Sequence, residues 1–428
     1  MKKYDEYKDS GVAWIGEVPK HWEVIKLKYK YHFQTGATPN TGKKENFEGE
    51  LRWANISDLN GSVVYDTTKH INKEAASKCS MNISPKGSLM YSFKLSVGTV
   101  AFCGEDMYTN EAIASFIPQK NDLKYLFYCA PIFIIHNANR NIYNAPLLNQ
   151  ELIKNALICL PSLNEQTAIA AYLDTHCAKI DNLISIQQKR IALLQELKQS
   201  VITHAVTKGL NPNVEMKPSG IEWIGDVPKH WEVMPLKHLA VLYPKSVCSN
   251  NKENIVSYAP MENVRNDKLT EDEKKITELT SGLNTFYEGD ILMAKVTPCF
   301  ENGNIAIAHS LKHSLGYCSS ELFVIRVKRI NVRYLFFLLQ NQDYKQVCLS
   351  TLTGTGGLKR VSADFVRSGK MPVPSQEEQA AIASYLDRKC ATIDTSISNA
   401  QHQIDLLQEY KQSLITEVVT GKRKVTDN

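Results

Sequence analysis

Two stretches of the chain carry the apolar pattern of a long helix. Apolar residues recur every three and four positions, a narrow stripe of about 3.5 residues that is typical of a coiled-coil seam. The predicted seam comprises Ile180, Ile184, Gln187, Ile191, Leu194, Leu197 and Val201 in the first stretch, and Ile393, Ile397, Ala400, Ile404, Leu407, Tyr410 and Leu414 in the second. Glu165 and Glu378 lie near the predicted helix starts, and Gly209 and Gly421 supply stop signals. Each stretch could form a helix hairpin within its own domain. The equal seams favour two helices that pack on each other and hold the intervening regions apart.

The regions outside these helices show a different pattern. Short apolar runs bounded by turn residues predict strands at 61–66, 98–103, 304–308 and 321–327. Two longer apolar runs, 124–135 and 333–342, predict a buried helix in each region. This mixture predicts α+β domains.

The chain contains an internal repeat. Residues 10–24 read SGVAWIGEVPKHWEV and residues 219–233 read SGIEWIGDVPKHWEV; we call each of these segments a head. Residues 161–174 read PSLNEQTAIAAYLD and residues 374–387 read PSQEEQAAIASYLD, where the two long helices, the tails, begin. The middle regions between head and tail have diverged. The repeat therefore predicts two tandem copies of one fold whose middles present different surfaces.

Four segments follow from this pattern. The predicted boundaries are 1–155 for a first variable domain with its head, 156–209 for a first helical spacer, 210–372 for a second variable domain with its head, and 373–428 for a second helical spacer. The fold class is α+β, with two mixed domains, a pair of long antiparallel coiled-coil helices and a pseudo-two-fold internal repeat.

Composition narrows the class of protein. Of the 428 residues, 43% are hydrophobic and 22% charged, which predicts several folded domains rather than a disordered or fibrous chain. The apolar stretches 125–135 and 334–339 are shorter than the about 20 residues of a membrane span. The N-terminal sequence MKKYDEYKDS lacks an apolar segment behind it, so we expect no secretory signal and a cytoplasmic protein. The ten cysteines form no CxxC pair, which predicts free thiols and no zinc site.

Charge adds a weak indication of nucleic acid binding. The formal net charge is +5. Residues 24–155 hold 15 Lys and Arg against 11 Asp and Glu, and residues 233–372 hold 18 against 13. A basic surplus in the two middles suits two faces that contact phosphate, although an ordinary solvated surface has the same appearance.

Motifs for catalysis are missing from the sequence. Residues 36–44, GATPNTGKK, resemble a phosphate loop but have the wrong spacing and Lys44 where Ser or Thr should bind magnesium. Residues 354–357, GTGG, lack the spacing of a dinucleotide fingerprint. His21 and His230 occupy matched positions in PKHW, where a packed surface motif is a simpler interpretation than an acid–base role. We therefore expect no catalysis by this chain.

The repeated motifs resemble those of a known family. The two heads, the two tail starts and the segments 85–102, 289–307 and 354–375 are similar to the specificity subunit of type I restriction–modification systems, and the resemblance covers nearly the whole chain. It implies that each middle is a target-recognition domain that reads one half of a split, asymmetric DNA site. The tails would form an antiparallel pair that acts as a ruler between the halves.

The resemblance also implies partners. The chain would direct two modification subunits, which use S-adenosylmethionine to methylate adenine, and restriction subunits, which hydrolyse ATP with magnesium and cut DNA. It would hold no cofactor and no metal itself, as expected of a targeting subunit in a bacterial defence system. A scaffold that binds other proteins but no DNA is the alternative.

Candidate DNA contacts follow from residue type and from the resemblance. Protruding loops with basic side chains and glycines suit phosphate contact, because backbone N–H groups can approach closely. The candidates are Lys359, Arg360, Gly356, Lys295, Lys94, Lys43, Lys44 and Arg140; an ordinary solvated side chain is the alternative for each. Copy one has NIYNAPL at residues 141–147 in place of the glycine-rich loop 354–360, so the carry-over of the loop's role favours copy two.

Overall fold

The computed structural model describes the chain in five segments. They are residues 3–118, 122–245, 254–265, 267–354 and 358–425.

The chain forms two compact units that cut across the tails. Unit 1 comprises residues 1–186 and 403–428, and unit 2 comprises residues 187–402. Each unit therefore contains its own head and middle, the first part of its own tail helix and the last part of the other tail helix. This division differs from the predicted boundaries, which assign each tail as a whole to a separate spacer.

Unit 1 is built from short strands and helices that begin within it, together with the last part of the other tail helix. Its strands are Tyr7–Asp9 (β1), Glu17–Pro19 (β2), Glu23–Lys26 (β3), Phe33–Thr35 (β4), Leu51–Ala54 (β5), Val63–Val64 (β6), His70–Ile71 (β7), Leu89–Ser92 (β8), Val100–Cys103 (β9), Tyr108–Thr109 (β10), Ile113–Phe116 (β11), Asn139–Arg140 (β12), Pro146–Leu147 (β13) and Leu157–Leu160 (β14). Its helices are Lys73–Lys78 (α1), Leu123–His136 (α2), Gln150–Asn155 (α3) and the first part of Leu163–Lys208 (α4).

Unit 2 repeats this plan with different details. Its strands are Met216–Pro218 (β15), Asp226–Pro228 (β16), Glu232–Pro235 (β17), Ala240–Leu242 (β18), Ile255–Ala259 (β19), Val264–Arg265 (β20), Lys268–Leu269 (β21), Asp272–Lys275 (β22), Asn284–Phe286 (β23), Ile291–Ala294 (β24), Ile305–Ile307 (β25), Gly316–Cys318 (β26), Leu322–Val327 (β27) and Lys370–Val373 (β28). Its helices are Leu236–Leu239 (α5), Val332–Gln340 (α6), Gln342–Leu349 (α7), Ala363–Ser368 (α8) and the first part of Gln376–Val419 (α9).

The central sheets of the two middles share four strands in the same order, and unit 1 has a further edge strand, β6. The order is β4-β11-β8-β9-β6 in unit 1 and β18-β27-β24-β25 in unit 2, so β8 and β11 correspond to β24 and β27. Both of these central pairs are antiparallel, and every residue of β8, β11 and β24 is buried. Continuous apolar runs form these strands because both faces of the sheet are covered. A second sheet differs between the units: it has three strands, β10-β5-β7, in unit 1 and four strands, β22-β19-β26-β23, in unit 2.

A buried helix covers the central sheet in each unit, as the apolar runs predict. Asp122 caps α2 by accepting from the backbone N–H of Lys124, and Asn331 caps α6 by accepting from those of Arg333 and Tyr334. A side-chain oxygen at this position satisfies an amide that the first helical turn leaves without an intrahelical partner. Tyr125 of α2 and Tyr334 of α6 are fully buried.

The hydroxyls of these two tyrosines connect each middle to the tails. The Tyr125 hydroxyl donates to Cys159 O at 2.7 Å, and Val419 O at the end of α9 lies at 3.4 Å. Tyr334 lies 3.1 Å from Pro372 O and 3.2 Å from Val206 O near the end of α4. Each unit thus binds the far end of the other repeat's tail through its own buried helix.

The head packs against both tails in each unit. In unit 1, Glu165 at the start of α4 accepts from Trp22 Nε1 at 3.3 Å and lies 3.0 Å from His21 Nε2. Trp22 is fully buried, and a Cβ at Gly421, just after α9, would lie 2.2 Å from Pro19. The close approach and a φ of +72° require glycine there.

Unit 2 makes the same joint with its own residues. Glu378 at the start of α9 accepts from Trp231 Nε1 at 3.4 Å and lies 3.0 Å from His230 Nε2. Trp231 is fully buried, and Gly209, with a φ of +77°, lies against it after α4. The matched PKHW motifs are therefore packing motifs whose tryptophans join head to tail, and we call this arrangement the head–tail joint.

The tail helices bury most of the predicted seam. Ile180, Ile393, Ala400, Ile404 and Leu414 are buried, and Ile184, Gln187, Ile191, Leu194, Val201, Ile397 and Leu407 are half-buried. The prediction is wrong for Leu197 and Tyr410, each 50% exposed. An α-helix has 3.6 residues per turn, so a strict 3.5-residue pattern drifts round the helix. In α4, after Leu194, Leu197 of the predicted seam is exposed and Ile202 is buried instead.

An ion pair joins the two tails within each unit. In unit 1, Lys411 Nζ lies 2.7 Å from Asp181. In unit 2, Lys198 Nζ lies 2.7 Å from Asp394. The repeat matches Asp181 with Asp394 and Lys198 with Lys411, so the two pairs are equivalent.

Candidate nucleic-acid interface

A hairpin follows the buried helical region in unit 2 and carries the glycine-rich segment. Thr353 and Arg360 exchange both backbone hydrogen bonds, at 3.0 and 2.8 Å, and so close the loop between them. The neighbouring chain anchors the base of this hairpin: Val361 N donates to Lys295 O at 2.9 Å, and Thr297 N donates to Lys359 O at 2.9 Å. Lys295 comes directly after β24, so the central sheet positions the hairpin.

The Arg360 side chain is held within the protein. Its Nε and NH2 atoms each lie 2.9 Å from a carboxylate oxygen of Glu321, a bidentate pair. The hydrogen bonds from Arg360, helped by the positive charge of Lys295, lower the pKa of Glu321, although partial burial opposes them. The same pairing raises the pKa of Arg360. Arg360 therefore orients the hairpin base, while its side chain remains 42% exposed.

The other predicted residues of unit 2 differ in exposure. Lys359 is exposed beside Arg360, and Lys295 is half-buried. Gly356 lies outside the described residues. The structure thus brings Lys295 and Arg360 together around the Glu321 carboxylate, which the sequence pattern did not include, and places Lys359 next to them in the hairpin.

Unit 1 has a hairpin at the matching position. Strand β12 pairs with β13, with Asn139 opposite Leu147 and Arg140 opposite Pro146. Arg140 is exposed and its NH1 donates to Asn144 O at 3.0 Å within the same hairpin. The two middles therefore share the hairpin although its sequence differs, and Arg140 lies on it.

The remaining candidates of unit 1 are exposed and separate in sequence. Lys94 follows β8 and is exposed; its charge contributes to the low pKa of Glu111, which the hydrogen bond from Thr38 lowers most. Lys43 and Lys44 are exposed at the start of a short 3-10 turn. No hydrogen bond or ion pair among the described residues joins these three lysines to Arg140.

Two features of the hairpins were missed by sequence reasoning. Glu321, the partner of Arg360, precedes β27 and carries no pattern that marks it. Ile142 and Tyr143, at the tip of the unit 1 hairpin, are 90% and 83% exposed. Two large apolar residues inside an asparagine-rich turn are a signal that could have found the second feature, because turns are usually polar.

Other kinds of site have little support within the described ranges. No group of three or more His, Cys, Asp or Glu side chains there could hold a metal ion. The cysteines that are described are free thiols. None of the helices described is both long and apolar enough to cross a bilayer.

Comparison with protein families decides what kind of protein this is. The chain matches the type I restriction modification DNA specificity domain twice, over residues 19–195 and 228–404. The chain belongs to this family. The two matches coincide with the two copies of the internal repeat, so the repeat is two specificity domains in tandem.

Relatives within the family differ in how much of their length is shared. The type I restriction enzyme EcoEI specificity subunit of Escherichia coli is 30% identical over 202 residues; the match covers 46% of this chain but only 34% of that relative. The MjaVIII specificity subunit of Methanocaldococcus jannaschii is 25% identical over 429 residues, which covers 95% of this chain and 94% of the relative.

Solved structures share the fold. A chain from a solved type I R-M system has a TM-score of 0.71 at 14% identity and covers 94% of this chain and 98% of its own length. The HsdS subunit of Thermoanaerobacter tengcongensis has a TM-score of 0.51 at 14% identity and covers 95% and 98%. Two specificity domains and two long helices are thus the architecture that the chain shares with these structures. Its role comes from the family: as a chain built from DNA specificity domains, it is a DNA-recognition subunit rather than a catalytic one.

Proposed function

We propose that each unit reads one half of a split, asymmetric DNA site and that the chain directs partner subunits to it. The observation that carries this proposal is the pair of equivalent hairpins. They stand at the same place in the two middles but expose different side chains: Ile142 and Tyr143 in unit 1, Lys359 in unit 2. One scaffold with two tips suits recognition of two different base sequences, because base contacts specify while the scaffold positions.

The partners in this proposal are double-stranded DNA, two modification subunits and the restriction subunits. The head–tail joint occurs twice with the same hydrogen bonds, and a surface that occurs twice suits a partner bound in two copies. The modification subunits would supply S-adenosylmethionine and methylate adenine. The restriction subunits would supply ATP hydrolysis, magnesium and cleavage. DNA and these partners would place the chain in the cytoplasm.

A reconstitution experiment tests the targeting role. The purified chain, the modification subunits and S-adenosylmethionine are mixed with genomic DNA, and methylated adenines are mapped by sequencing. We expect methylation at one split sequence when all components are present and none with the chain alone. Methyl transfer by the chain alone would contradict a targeting role without catalysis.

A segment exchange tests the modular reading. Residues 27–156 are replaced by the equivalent segment of another family member, which leaves the backbone pairing of β3 and β14 in place. We expect one half of the methylated sequence to change and the other half to remain. The matched control exchanges residues 236–369 and should change the other half. A change of both halves after a single exchange would contradict independent units.

The alternative is a scaffold that binds proteins but no DNA. A band-shift assay with the assembled complex separates the two. We expect binding to DNA that carries the mapped site, weakened by salt. An assembly that forms normally but binds no DNA would favour the scaffold.

A further inference from the structure

The tip of the unit 1 hairpin exposes two large apolar side chains. Ile142 is 90% exposed and Tyr143, next to it, is 83% exposed. A single exposed apolar side chain is ordinary on a protein surface, but adjacent large ones at the end of a protruding turn leave a concentrated apolar surface in water. Such a feature suggests a binding partner that covers it.

The tip is held in one conformation by its own hydrogen bonds. The side-chain oxygen of Asn141 accepts from Tyr143 N and from Ala145 N, each at 2.9 Å. Asn144 has a φ of +60°, and its N–H donates to Asn141 O at 2.9 Å. The Arg140 guanidinium then bonds Asn144 O. Because the turn is preformed, little ordering entropy is lost when its two apolar side chains are inserted into a partner.

The charge of the segment that forms the hairpin suits DNA rather than a basic partner. From residue 137 to residue 150 the chain has no Asp or Glu, and Arg140 is a basic residue within this stretch. A hairpin without nearby carboxylates along its own segment can approach phosphates without repulsion. Arg140 has five N–H donors in its guanidinium, one of which reaches Asn144 O, and it lies at the base of the apolar tip.

A second loop of unit 1 lies beside the helix that leads into this hairpin. A Cβ at Gly98, between β8 and β9, would lie 3.6 Å from Ile135 Cδ1 in the last turn of α2. The same loop carries exposed Lys94 and, with a φ of +48°, Leu95, which is 82% exposed. The loop therefore adds a cation and an apolar side chain to this part of unit 1.

Apolar wedges of this kind have a known mode of action on DNA. Aliphatic and aromatic side chains that enter the minor groove slip between neighbouring base pairs, unstack them and kink the duplex. The unstacking costs a few kcal/mol, and flexible steps such as TA and CA are the easiest to open. A wedge therefore selects sequence through deformability as well as through contact.

We propose that the β12–β13 hairpin inserts Ile142 and Tyr143 between two base pairs of the half-site that unit 1 reads, with Arg140 on the adjacent phosphate. The inference rests on the proposed function and deepens it. The unit 2 hairpin has no such pair among its described residues, where Leu358 is 52% exposed beside Lys359. Unit 1 thus opens a base step in its half-site, and unit 2 does not.

Fluorescence of 2-aminopurine tests the wedge. The base analogue replaces adenine, one position at a time, in a duplex that carries the mapped site, and the complete assembly with modification subunits is added without S-adenosylmethionine. Fluorescence at positions beside the methylated adenines is evaluated separately. Methylating subunits turn the target base out of the duplex, and this also raises the fluorescence there. We expect a rise in fluorescence at one further step in the unit 1 half-site and no further step in the unit 2 half-site.

Variants assign the signal to the tip. We expect Ile142→Ala with Tyr143→Ala to remove the rise and to weaken DNA binding about tenfold or more, because the variant loses the stacking of a base on the aromatic ring. Tyr143→Phe should keep the signal. Leu358→Ala in the other hairpin is the matched control and should also keep it. Both tip side chains are exposed, so the variants should fold, and gel filtration with the modification subunits verifies assembly.

The outcomes separate the wedge from the function on which it rests. If the unaltered assembly neither binds nor methylates DNA, the proposed function fails and the wedge fails with it. If it methylates a split site but no unit 1 step beyond the methylated adenines rises in fluorescence, only the wedge is overturned. The wedge is also overturned if the double variant keeps both the fluorescence rise and the affinity for DNA. It is overturned as well if the double variant still binds DNA normally but no longer assembles with the modification subunits.

Discussion

Unit 1 and unit 2 are most alike at the head–tail joint and least alike at the hairpin. At the joint, a buried tryptophan donates to a glutamate at the start of a tail in both units, at 3.3 and 3.4 Å. At the hairpin, one unit exposes Ile142 and Tyr143 and the other holds Arg360 against Glu321. The difference shows that the two copies must both keep the packing of the head against the tails, whereas their hairpins need not be alike. Packing between helix and head tolerates little change, whereas a solvent-facing tip can change without cost to the core.

The largest expected effect is a break in the part that the units share. Trp22→Ala should destabilise unit 1 by about 3–5 kcal/mol, because a large buried side chain leaves a cavity. Trp231→Ala should cost unit 2 a similar amount. Urea denaturation measures the size, and hydrogen exchange with mass spectrometry locates the loss. We expect faster exchange in β1 and β2 for the first variant and in β15 and β16 for the second. If both variants increased hydrogen exchange in the same unit, the two head–tail joints would not be equivalent.

A smaller effect is expected from the hydroxyls between the buried helices and the tails. Tyr125→Phe and Tyr334→Phe each remove one buried donor and keep the ring, so each should cost roughly 1–2 kcal/mol. Urea denaturation of both variants and of the double variant gives the two costs, which should add because the sites lie in different units. If one of these variants left the free energy of unfolding unchanged, the carbonyl groups that its hydroxyl contacts would be bonded by other donors.

The pH dependence of the joint sharpens the comparison further. Burial raises the pKa of Glu378, but hydrogen bonds from His230, Trp231 and the backbone of Ser375 outweigh it, so the pKa lies below its ordinary value of 4.5. A depressed folded-state pKa gives stability that is present above the unfolded-state pKa and is lost as pH falls through the folded-state value. Glu378→Gln should therefore cost up to about 1 kcal/mol at pH 7.

The measurement is a series of urea denaturations between pH 7 and pH 3. The cost of Glu378→Gln should shrink as pH falls below 4.5, and Glu377→Gln, at an exposed neighbouring position, is the control. A cost that stays constant through this range would mean that the carboxylate charge does not stabilise the joint.

The smallest effect is expected at the hairpin of unit 2. Lys359→Ala should lower the slope of log binding constant against log salt by about 0.9 if Lys359 contacts one phosphate. Arg360→Ala should instead loosen the hairpin, because its side chain is already bonded to Glu321. The control is Lys312→Ala, whose side chain pairs with Glu273. Salt titrations of DNA binding by the assembly measure the slopes. An unchanged slope for Lys359→Ala would mean that Lys359 is an ordinary solvated side chain that contacts no phosphate.

The sequence by itself determined the repeat, the two long helices, several strands, the buried helix of each middle and the family. Both tails lie where periodicity predicts them, and β27, α2 and α6 lie where continuous apolar runs predict them, because apolar residues in these patterns specify a buried surface almost regardless of context. The glycines at the tail ends could also be read directly, since a positive φ limits the residue type.

Tertiary structure decided what the sequence could not. The units take the end of each tail from the other repeat, Glu321 engages Arg360, and Leu197 and Tyr410 turn outward. These outcomes depend on contacts between residues that are far apart in the sequence. A local pattern of apolar and polar residues does not specify such contacts. The hairpin of unit 1 is the clearest case: its sequence shares no glycine with loop 354–360, yet the central sheet and the buried helix before it place both hairpins alike. The scaffold sets where a loop stands, and the loop's own residues set only what it presents.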